Sequence, residues 1–551
     1  MSHAEALGAA MGCFEAGRHD EAEALCGQIL REDPGHPHAA LFRAFLRLEG
    51  GRPAEALEDL DAVLARDPSN GEAHGKRGNA LLALGRCGEA AAAFDCALLL
   101  EPGLVEARAN RAAALLPLGR HAEALAECEA ALRQDPRCVE ALVNRGAALL
   151  ELRREAEALR SLEAALALQP GHPEALLNRG SALLGLERPG EALKSFDAAL
   201  ARHPRVELHT NRALALQDLG RHGEALTAFD AALALDPDAP DPRTCRAFLK
   251  LLLGRFEEAW PDLEARWGRV DLAPYRRDFQ QPQWRGEGLE GKRLLLHAEQ
   301  GQGDAIHLAR YVPLAAVRGA HVILEVPESL APLMENLEGV QELVLRGEDP
   351  PPFDLHCPLA SLPGAFGTTL ESIPDRVPYL HPREDRLRRW LPRLPGGGLR
   401  VGLAWAGNPA HRQNRRRSLP LETLLPALAR PGLQAVSLQK ELRDGEAQRL
   451  ASAGLLNLGP DFEDFADTAA VVSQLDLVIS VDSAVAHLAG ALGRPVWVLL
   501  PHQPDWRWML GREDSPWYPS ARLFRQASPG DWASEIIRVA EALGAFAGTP
   551  A

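Results

Sequence analysis

The stretch Leu475–Pro501, LDLVISVDSAVAHLAGALGRPVWVLLP, decides the fold. Its segment from 475 to 481, in which five of seven residues are apolar, is typical of a buried strand, and PVWVLL (495–500) is a second, fully apolar segment. Asp482 and Ser483 stand between them and begin a helix of small residues. A strand, a helix and a further strand in this order predict a βαβ unit of an α/β domain.

The start of that helix is a candidate anion site. Free backbone N–H groups and the helix dipole favour a pyrophosphate there. Ser483 and His487 are four residues apart and share a helix face, with Asp482 on the turn before them. The alternative is that Asp482 and Ser483 only cap the helix while His487 packs inside, and the spacing alone leaves both interpretations open.

A second turn of this kind is EQGQGDAIHLARY (299–311), which follows an apolar run at 294–296. Gly301 and Gly303, on either side of Gln302, permit close approaches that a Cβ resists. Asp304 opens an amphipathic segment at the positive end of a helix and is expected to face a cleft. A plain strand-to-helix turn with an acidic N-terminus is the alternative.

Strands and helices alternate on both sides of these turns. LLLHAE, HVILEV, VQELVL and FDLHCPL predict strands in a first series, and LRVGLAWAG begins a second one after a proline- and arginine-rich hinge. We expect two Rossmann-like domains, 292–395 and 396–545, with a cleft between them. A linker rich in Gly, Pro and Gln is expected at 269–291.

Two further strand ends of the second series carry residues that could contact a nucleotide. AWAGNPAHRQNRRRS (404–418) carries Asn408, His411 and three arginines beginning at Arg415, which suit phosphate charge, although a solvated charge run is the alternative. Gln439 ends LQAVSLQ, where a ribose or base contact and a surface turn are both open. The aromatic residues between 506 and 518 either stack on a ligand or pack the loop.

The first half of the chain is an internal repeat. Six prolines from Pro34 to Pro204 recur every 34 residues, and a G-R-x-x-E-A motif recurs between them, with its glycine replaced near Arg153 and at Glu187. Each unit therefore reads as two helices joined by a glycine turn and ended by proline. Stacking of about seven to eight such units predicts an α-solenoid over residues 1–268.

One position of the first helix of each unit carries a repeated amide. In a solenoid, one residue per repeat lines the concave face, where a ladder of amides can hold an extended peptide. The alternative is that these asparagines, and the arginine that follows each of them, bond to neighbouring repeats and order the stack. The ladder consists of Asn110, Asn144, Asn178 and Asn211.

The net charge and the cysteine pattern exclude some classes of binding partner and indicate a cellular compartment. A net charge of -16 and a pI near 5.6 argue against nucleic acid or anionic membrane as the main partner. The eight cysteines form no C-x-x-C pair, which favours a reducing cytoplasm over a disulfide framework or a zinc knuckle. Neither a signal peptide nor a membrane span is expected. We expect a cytoplasmic protein.

Two resemblances bear on these patterns. The 34-residue period, with small residues such as Gly146 and Ala158 and a closing proline, resembles the tetratricopeptide repeat family. Its asparagine ladder is similar to that of the eukaryotic protein O-linked N-acetylglucosamine transferases. The motif D-S-A-V-A-H-L-A-G-A-L-G-R-P resembles the donor-site signature of the bacterial heptosyltransferases, glycosyltransferase family nine, and a G-x-G-D turn matches that family's glycine loop.

The second resemblance implies a GT-B fold and metal-independent inverting transfer from a nucleotide-diphosphate sugar, with no cofactor. It implies Asp304 as the general base and Asp482, Ser483 and His487 as donor ligands. It also implies that 292–395 is the acceptor-side domain and 396–545 the nucleotide-sugar donor domain. The family usually shows a lysine-containing loop where this sequence has arginines. Joining such a domain to tetratricopeptide repeats is a recurrent bacterial arrangement.

The expected function is therefore a glycosyltransferase of hexosyl or heptosyl type whose repeats present a protein or peptide acceptor. One alternative is an interaction scaffold with a catalytically silent transferase-like domain. Another is a transferase that acts on a lipid or glycan acceptor, with the repeats serving for assembly.

Overall fold

The computed structural model describes residues 2–409 and 414–547. The chain forms two compact units that meet in sequence between Leu235 and Asp236. The first unit consists of helices that pack as successive antiparallel hairpins. Its helices are α1 (His3–Glu15), α2 (His19–Glu32), α3 (Pro37–Glu49), α4 (Pro53–Arg66), α5 (Gly71–Ala83), α6 (Cys87–Leu100), α7 (Val105–Leu115), α8 (His121–Gln134), α9 (Val139–Glu151), α10 (Glu155–Leu168), α11 (Pro173–Gly185), α12 (Pro189–Leu200), α13 (Val206–Asp218) and α14 (His222–Leu235).

The repeated motif explains the turn within each hairpin. Its glycines, from Gly17 to Gly220, have φ values between 69° and 74°, a conformation that favours glycine. Arg153 and Glu187 adopt the same conformation, with φ of 60° and 59°, at a cost of about 1 kcal/mol each. The motif arginine pairs with the glutamate three residues later, as Arg86 and Glu89 do at 2.7 Å.

Small residues let the two helices of a hairpin approach closely. A Cβ on Gly146 would lie 2.5 Å from Leu162 Cγ, and one on Gly180 would lie 2.3 Å from Phe196 Cε1. Neither contact is possible for a side chain, so glycine is required at both positions. This packing confirms the helical repeat that the 34-residue period predicts.

The second unit begins with one more hairpin, α15 (Pro240–Leu252) and α16 (Phe256–Leu263), and continues into two parallel sheets. The first sheet has the strand order β3-β2-β1-β4. Its strands are β1 (Arg293–His297), β2 (His321–Val326), β3 (Val340–Leu345) and β4 (Leu355–Pro358), and the helices that accompany it are α17 (Gln302–Leu308), α18 (Val312–Val317), α19 (Ala331–Met334) and α20 (Leu362–Ala365).

The second sheet has the strand order β10-β9-β8-β5-β6-β7. Its strands are β5 (Leu399–Ala404), β6 (Leu433–Ser437), β7 (Leu456–Asn457), β8 (Leu477–Val481), β9 (Val496–Leu500) and β10 (Ala521–Arg525). The helices of this part are α21 (Glu384–Trp390), α22 (Asn414–Arg417), α23 (Leu421–Leu428), α24 (Glu446–Ser452), α25 (Phe465–Val472), α26 (Ala484–Ala491) and α27 (Trp532–Ala547).

These strand orders are those of doubly wound α/β domains, so the expected α-solenoid followed by two Rossmann-like domains of a GT-B fold is confirmed. In each sheet the order reverses beside the first strand, between β1 and β4 and between β5 and β8. Ligands of such sheets bind outside the carboxyl ends of the strands at the reversal. The turns after β1, β5 and β8 therefore lie where a ligand is expected.

The expected domain boundaries at 268, 291 and 395 stay predictions. The hairpin α15–α16 belongs to the same compact unit as the two sheets. Trp260 Nε1 donates a hydrogen bond to the Thr368 carbonyl at 2.7 Å, and the buried guanidinium of Arg266 pairs with Glu299 at 2.8 Å. The last hairpin, a name that includes the 3₁₀ turn Glu264–Gly268 following α16, is thus built into the α/β part. No helix in the described part of the chain is both long and apolar enough to span a membrane.

Candidate functional site

The turn after β1 meets the start of α26, which follows β8. Gly303 lies in the first turn of α17, and a Cβ there would stand 3.1 Å from His487 Cδ2 and 3.3 Å from Ala484 Cα. Two loops that lie far apart in sequence and belong to different sheets are therefore in contact at one place. This brings the predicted acceptor-side loop, Gly301 to Asp304, against the predicted donor helix.

Gly303→Ala is expected to lower both stability and any transfer activity. Alanine favours a helix over glycine by about 1 kcal/mol, but the added methyl has to displace the backbone of Ala484, which costs about 1–3 kcal/mol. We expect net destabilisation of about 1 kcal/mol in urea unfolding.

The matched control is Gly75→Ala, within α5, where a Cβ meets nothing within 4 Å. That change is expected to stabilise the first unit. An equal gain from Gly303→Ala would contradict the close approach of the two turns.

Asp304 does not stand alone. Arg507 Nη2 donates to Asp304 Oδ1 at 2.5 Å, and Arg507 Nη1 donates to Asp505 Oδ1 at 2.8 Å. The Asp304 side chain is 38% exposed, whereas the Arg507 side chain is 12% exposed. Gln302 turns away and donates to Ser329 Oγ at 2.7 Å. The predicted base is therefore held by a buried cation from the second Rossmann-like domain.

The sequence interpretation missed Arg507. The residue lies in a loop after β9, and its partner Asp304 is 203 residues away in the chain. The available signal was the local pattern D-W-R-W at 505–508, in which an arginine stands between two tryptophans and follows an aspartate. An arginine placed in this way is typically anchored by a ring and a carboxylate.

Asp482 and Ser483 form the turn between β8 and α26, the predicted donor site. Burial raises the pKa of Asp482 from 3.8 to about 6, and the nearby Asp505 carboxylate acts in the same direction. Ser483 occupies the N-cap position, but its side chain makes no capping hydrogen bond and lies 2.9 Å from Ser480 Oγ instead. The alternative in which the Ser483 hydroxyl caps the helix is therefore not what the structure shows, because that hydroxyl bonds to Ser480 instead.

Asp482→Asn is expected to stabilise the protein at neutral pH. Because the folded state holds the Asp482 proton more tightly than the unfolded state, stability is lost as pH rises from about 4 to about 6 and stays lower above that range. Replacing the carboxylate removes this penalty, which amounts to about 2–3 kcal/mol above pH 6.5.

Chemical denaturation of wild type and variant across pH 4.5–7.5 measures the effect. A stability difference that does not grow with pH would contradict the raised pKa of Asp482.

His487 is buried, and its Nδ1 lies 3.0 Å from Tyr518 Oη. The same hydroxyl lies 3.0 Å from Nδ1 of His307, in α17. Burial, with the charges of Arg507 and Arg310, holds the pKa of both imidazoles well below the ordinary value. Both rings are therefore neutral, and the tyrosine hydroxyl donates to one ring and accepts from the other.

The aromatic residues of this region pack rather than line an open surface. The His487 ring stacks on Trp508, with the centroids 5.3 Å apart and the planes 14° apart. Arg310 of the first Rossmann-like domain donates to the Trp517 carbonyl at 2.6 Å. Loop packing is the role that this geometry supports for the buried side chains Trp506, Trp508, Trp517 and Tyr518.

The remaining predicted donor ligands stand on nearby strand ends. Gln439 Oε1 accepts hydrogen bonds from the backbone N–H groups of Trp405 and Ala406 at 3.2 and 3.1 Å, so it shapes the loop that carries Asn408. Arg415 is exposed on α22. His411 lies outside the described residues.

Arg417 is less exposed than Arg415 of the same loop. It is half-buried, with its guanidinium 2.8 Å from where a Cβ on Gly407 would lie. Its charge contributes to lowering the pKa of His487. Which of the three arginines contacts phosphate stays a prediction.

In the solenoid, the repeated asparagines differ in their contacts. Asn110 Nδ2 donates to Asn79 Oδ1 and Asn144 Nδ2 donates to the Ala109 carbonyl, both at 2.9 Å. These two therefore bond to the preceding repeat. Asn178 instead lines a cavity of about 400 Å³, together with Leu116, Pro117, His121, Ala147, Leu150 and Glu151.

The arginine that follows each asparagine orders the stack. Arg111 pairs with Asp95 at 2.6 Å, and Arg212 pairs with Asp197 at 2.7 Å. Each acid lies in the second helix of the preceding repeat. The ordering role is therefore established for these arginines, while the peptide groove formed by Asn110, Asn144, Asn178 and Asn211 stays a prediction.

Comparison with known families agrees with this architecture. Residues 14–80, and the overlapping segments 76–137, 109–173, 144–193 and 177–240, match models of the tetratricopeptide repeat. Residues 442–526 match the model of glycosyltransferase family 9 (heptosyltransferase). The chain thus carries tetratricopeptide repeats in its N-terminal region and a glycosyltransferase family 9 domain towards its C-terminus. The matched segment includes the turn after β8 and Arg507 but not the Asp304 loop.

Individual proteins are also similar. Protein FlbA of Caulobacter vibrioides is 31% identical over 331 residues, covering 55% of this chain and 54% of that protein, so the chain spans about half the length of this relative. A solved tetratricopeptide repeat protein from Parabacteroides merdae is 16% identical with a TM-score of 0.36, covering 43% of this chain and 93% of its own. A chain of the APC/C hetero-tetramer Cut9-Hcn1 is 19% identical with a TM-score of 0.40, and the match covers 48% of this chain and 52% of that chain.

Proposed function

We propose that this protein is a cytoplasmic, inverting and metal-independent glycosyltransferase that moves a hexosyl or heptosyl group from a nucleotide-diphosphate sugar to a protein or peptide held by its repeats. Asp304 is the general base. Asp482, Ser483 and His487 hold the donor, with contributions from Asn408, Arg415 and Gln439. Arg417 joins this set as a half-buried cation beside Gly407 in the loop that carries Asn408.

The reaction is a single displacement at the anomeric carbon. The acceptor hydroxyl gives its proton to Asp304 as its oxygen bonds to the anomeric carbon, and the bond from that carbon to the phosphate oxygen breaks. The nucleoside diphosphate leaves with the electron pair. Cations and backbone N–H groups at the start of α26 stabilise the leaving phosphate, while the base works from the opposite side of the cleft.

One observation carries this proposal. The turn after β1 and the helix after β8 both stand at strand-order reversals, and they touch at Gly303 and Ala484. A base from one domain and an anion site from the other are therefore close enough to act on one substrate pair. The glycosyltransferase family 9 match supports the donor side.

The direct test screens nucleotide-diphosphate sugars by isothermal titration and follows released nucleotide and glycosylated product by mass spectrometry. We expect one donor to bind to the full-length protein and turn over in the presence of ethylenediaminetetraacetate. A protein that binds none of the donors would overturn the proposal, and activity that the chelator abolishes would overturn metal independence.

The Asp304–Arg507 ion pair favours a second candidate, a binding module with a silent transferase-like domain. A carboxylate engaged by a guanidinium is less available as a base than a free one. This candidate predicts that a nucleotide-diphosphate sugar binds without turnover while a peptide partner binds to the repeats. Single-turnover assays at saturating donor separate the two candidates.

The acceptor class needs a separate experiment. Deleting residues 1–235 removes the first compact unit and keeps the hairpin that carries Trp260 and Arg266. If the repeats hold a peptide acceptor, we expect this deletion to abolish transfer to the peptide. We expect the double variant Asn178→Ala, Asn211→Ala to reduce transfer to the peptide in part. Full activity on a lipid or glycan acceptor after the deletion would assign the repeats to assembly instead.

A further inference from the structure

The side chain of Arg507 is fixed in place before it reaches Asp304. It belongs to a 3₁₀ turn, Trp506–Trp508, which follows β9. Asp505 Oδ1 accepts the backbone N–H of Arg507 at 3.0 Å and its Nη1 at 2.8 Å. The guanidinium also lies 4.6 Å from the centroid of the Trp506 ring. A carboxylate and an aromatic face thus hold the guanidinium on two sides.

The turn itself is braced by neighbouring elements. Trp506 packs edge-on against Phe256 and Trp260 of the last hairpin, with centroids 6.5 and 6.1 Å away. Met509, directly after the turn, has φ of 48°, which disfavours a side chain. Arg525 Nη2 donates to the Trp508 carbonyl at 3.1 Å and helps to hold this conformation. Strained backbone that is held this firmly is characteristic of functional sites.

Arg507 engages only one oxygen of Asp304. Its Nη2 donates to Oδ1 at 2.5 Å, and within residues 2–409 and 414–547 no group donates a hydrogen bond to Oδ2. Burial opposes the charge of Arg507, yet the carboxylates of Asp505 and Asp304 hold its pKa above the ordinary value, so it remains a cation. One oxygen of the carboxylate is thus fixed, and the other remains available to a hydroxyl.

We infer that Arg507 is a positioning residue, which holds Oδ1 of Asp304 so that Oδ2 faces the acceptor hydroxyl. The inference rests on the proposed function and adds a residue to it. The acceptor proton passes to Oδ2 of Asp304 and never to Arg507, which keeps its charge throughout. A direct contact between Arg507 and the donor phosphates is the competing role, and it predicts different kinetics.

A double-mutant cycle on full-length protein tests the inference with wild type, Arg507→Gln, Asp304→Asn and the double variant. Rates are measured with a donor and acceptor pair that wild type turns over. We expect Arg507→Gln to lower kcat about 10- to 100-fold, because the Asp304 carboxylate would no longer be held in the orientation needed to take the acceptor proton. The donor KM should stay within about twofold. In the Asp304→Asn background, Arg507→Gln should lower kcat no further.

Two further variants complete the design. Arg507→Lys keeps the charge and is expected to recover part of the lost kcat, whereas a variant that fails to fold recovers nothing. Arg512→Gln is the matched control, because Arg512 lies on the same loop and pairs with the exposed Asp514 at 2.7 Å. We expect wild-type kinetics from this control.

Either of two results would overturn the inference. Equal losses of kcat from Arg507→Gln in both backgrounds would show that Arg507 acts independently of Asp304. A raised donor KM with unchanged kcat would assign it to donor binding. If wild type turns over no nucleotide-diphosphate sugar, the proposed function fails, and the inference falls with it before any variant is compared.

Discussion

Asp304→Asn is expected to lower the rate of sugar transfer by about 10²–10⁴-fold, the usual contribution of a positioned general base. Asparagine keeps an oxygen for Arg507 Nη2, which now donates to Asp304 Oδ1 at 2.5 Å, but it cannot take the proton of the acceptor. The loss should therefore appear in kcat, while the dissociation constant of the donor changes little. Steady-state kinetics and isothermal titration on the same preparations measure the two quantities.

The matched control is Asp514→Asn, since Asp514 is an exposed aspartate that pairs with an arginine of the same loop. Its transfer rate should equal that of wild type. A transfer rate for Asp304→Asn within about threefold of wild type would remove Asp304 as the general base, and the transfer would then need a different base.

Arg266→Ala is expected to destabilise the second unit by about 3–5 kcal/mol, the typical cost of removing one partner of a buried ion pair. Arg266 is 3% exposed, and its guanidinium donates to both oxygens of Glu299, to Glu264 and to Ser361 Oγ. Without the arginine, the Glu299 carboxylate stays buried without a counter-charge. Urea unfolding measured on the full-length protein detects the loss as a lower midpoint for the α/β transition.

Arg276→Ala provides the comparison, because Arg276 is exposed and lies 3.8 Å from the exposed Asp278. Surface pairs of this kind contribute about 0–1 kcal/mol. If Arg266→Ala and Arg276→Ala lower the free energy of unfolding by similar amounts, the buried cluster around Arg266 does not stabilise the packing of the last hairpin against the α/β part. Glu299 comes two residues before Gly301, so we also expect Arg266→Ala to reduce transfer.

Periodic features of the sequence predict the fold well. The 34-residue spacing identifies the solenoid, and largely apolar segments identify strands such as β1, β8 and β9, because these strands are buried on both faces. The elements without such a signal were missed. β10 carries Arg522 and Arg525, β7 has two residues, and α25 is buried along almost its whole length and so lacks an apolar period.

The same contrast holds for the site. The G-x-G-D turn and the D-S-x-x-x-H helix stand at the strand-order reversals, and strand-to-helix turns can be recognised from local sequence. Arg507 and Arg266 act through partners far away in the chain, Asp304 and Glu299, and no local pattern encodes such pairs.

The last hairpin touches both Rossmann-like domains, through Arg266 on Glu299 in the first and through Phe256 near Trp506 and Trp517 in the second. Duplication or loss of whole repeats before Leu235 changes the length of the array without altering these contacts. An exchange that includes Phe256 or Arg266 instead breaks them. Recombination between related genes is therefore expected to lengthen or shorten the array freely upstream, while the final hairpin is inherited together with the transferase-like domain.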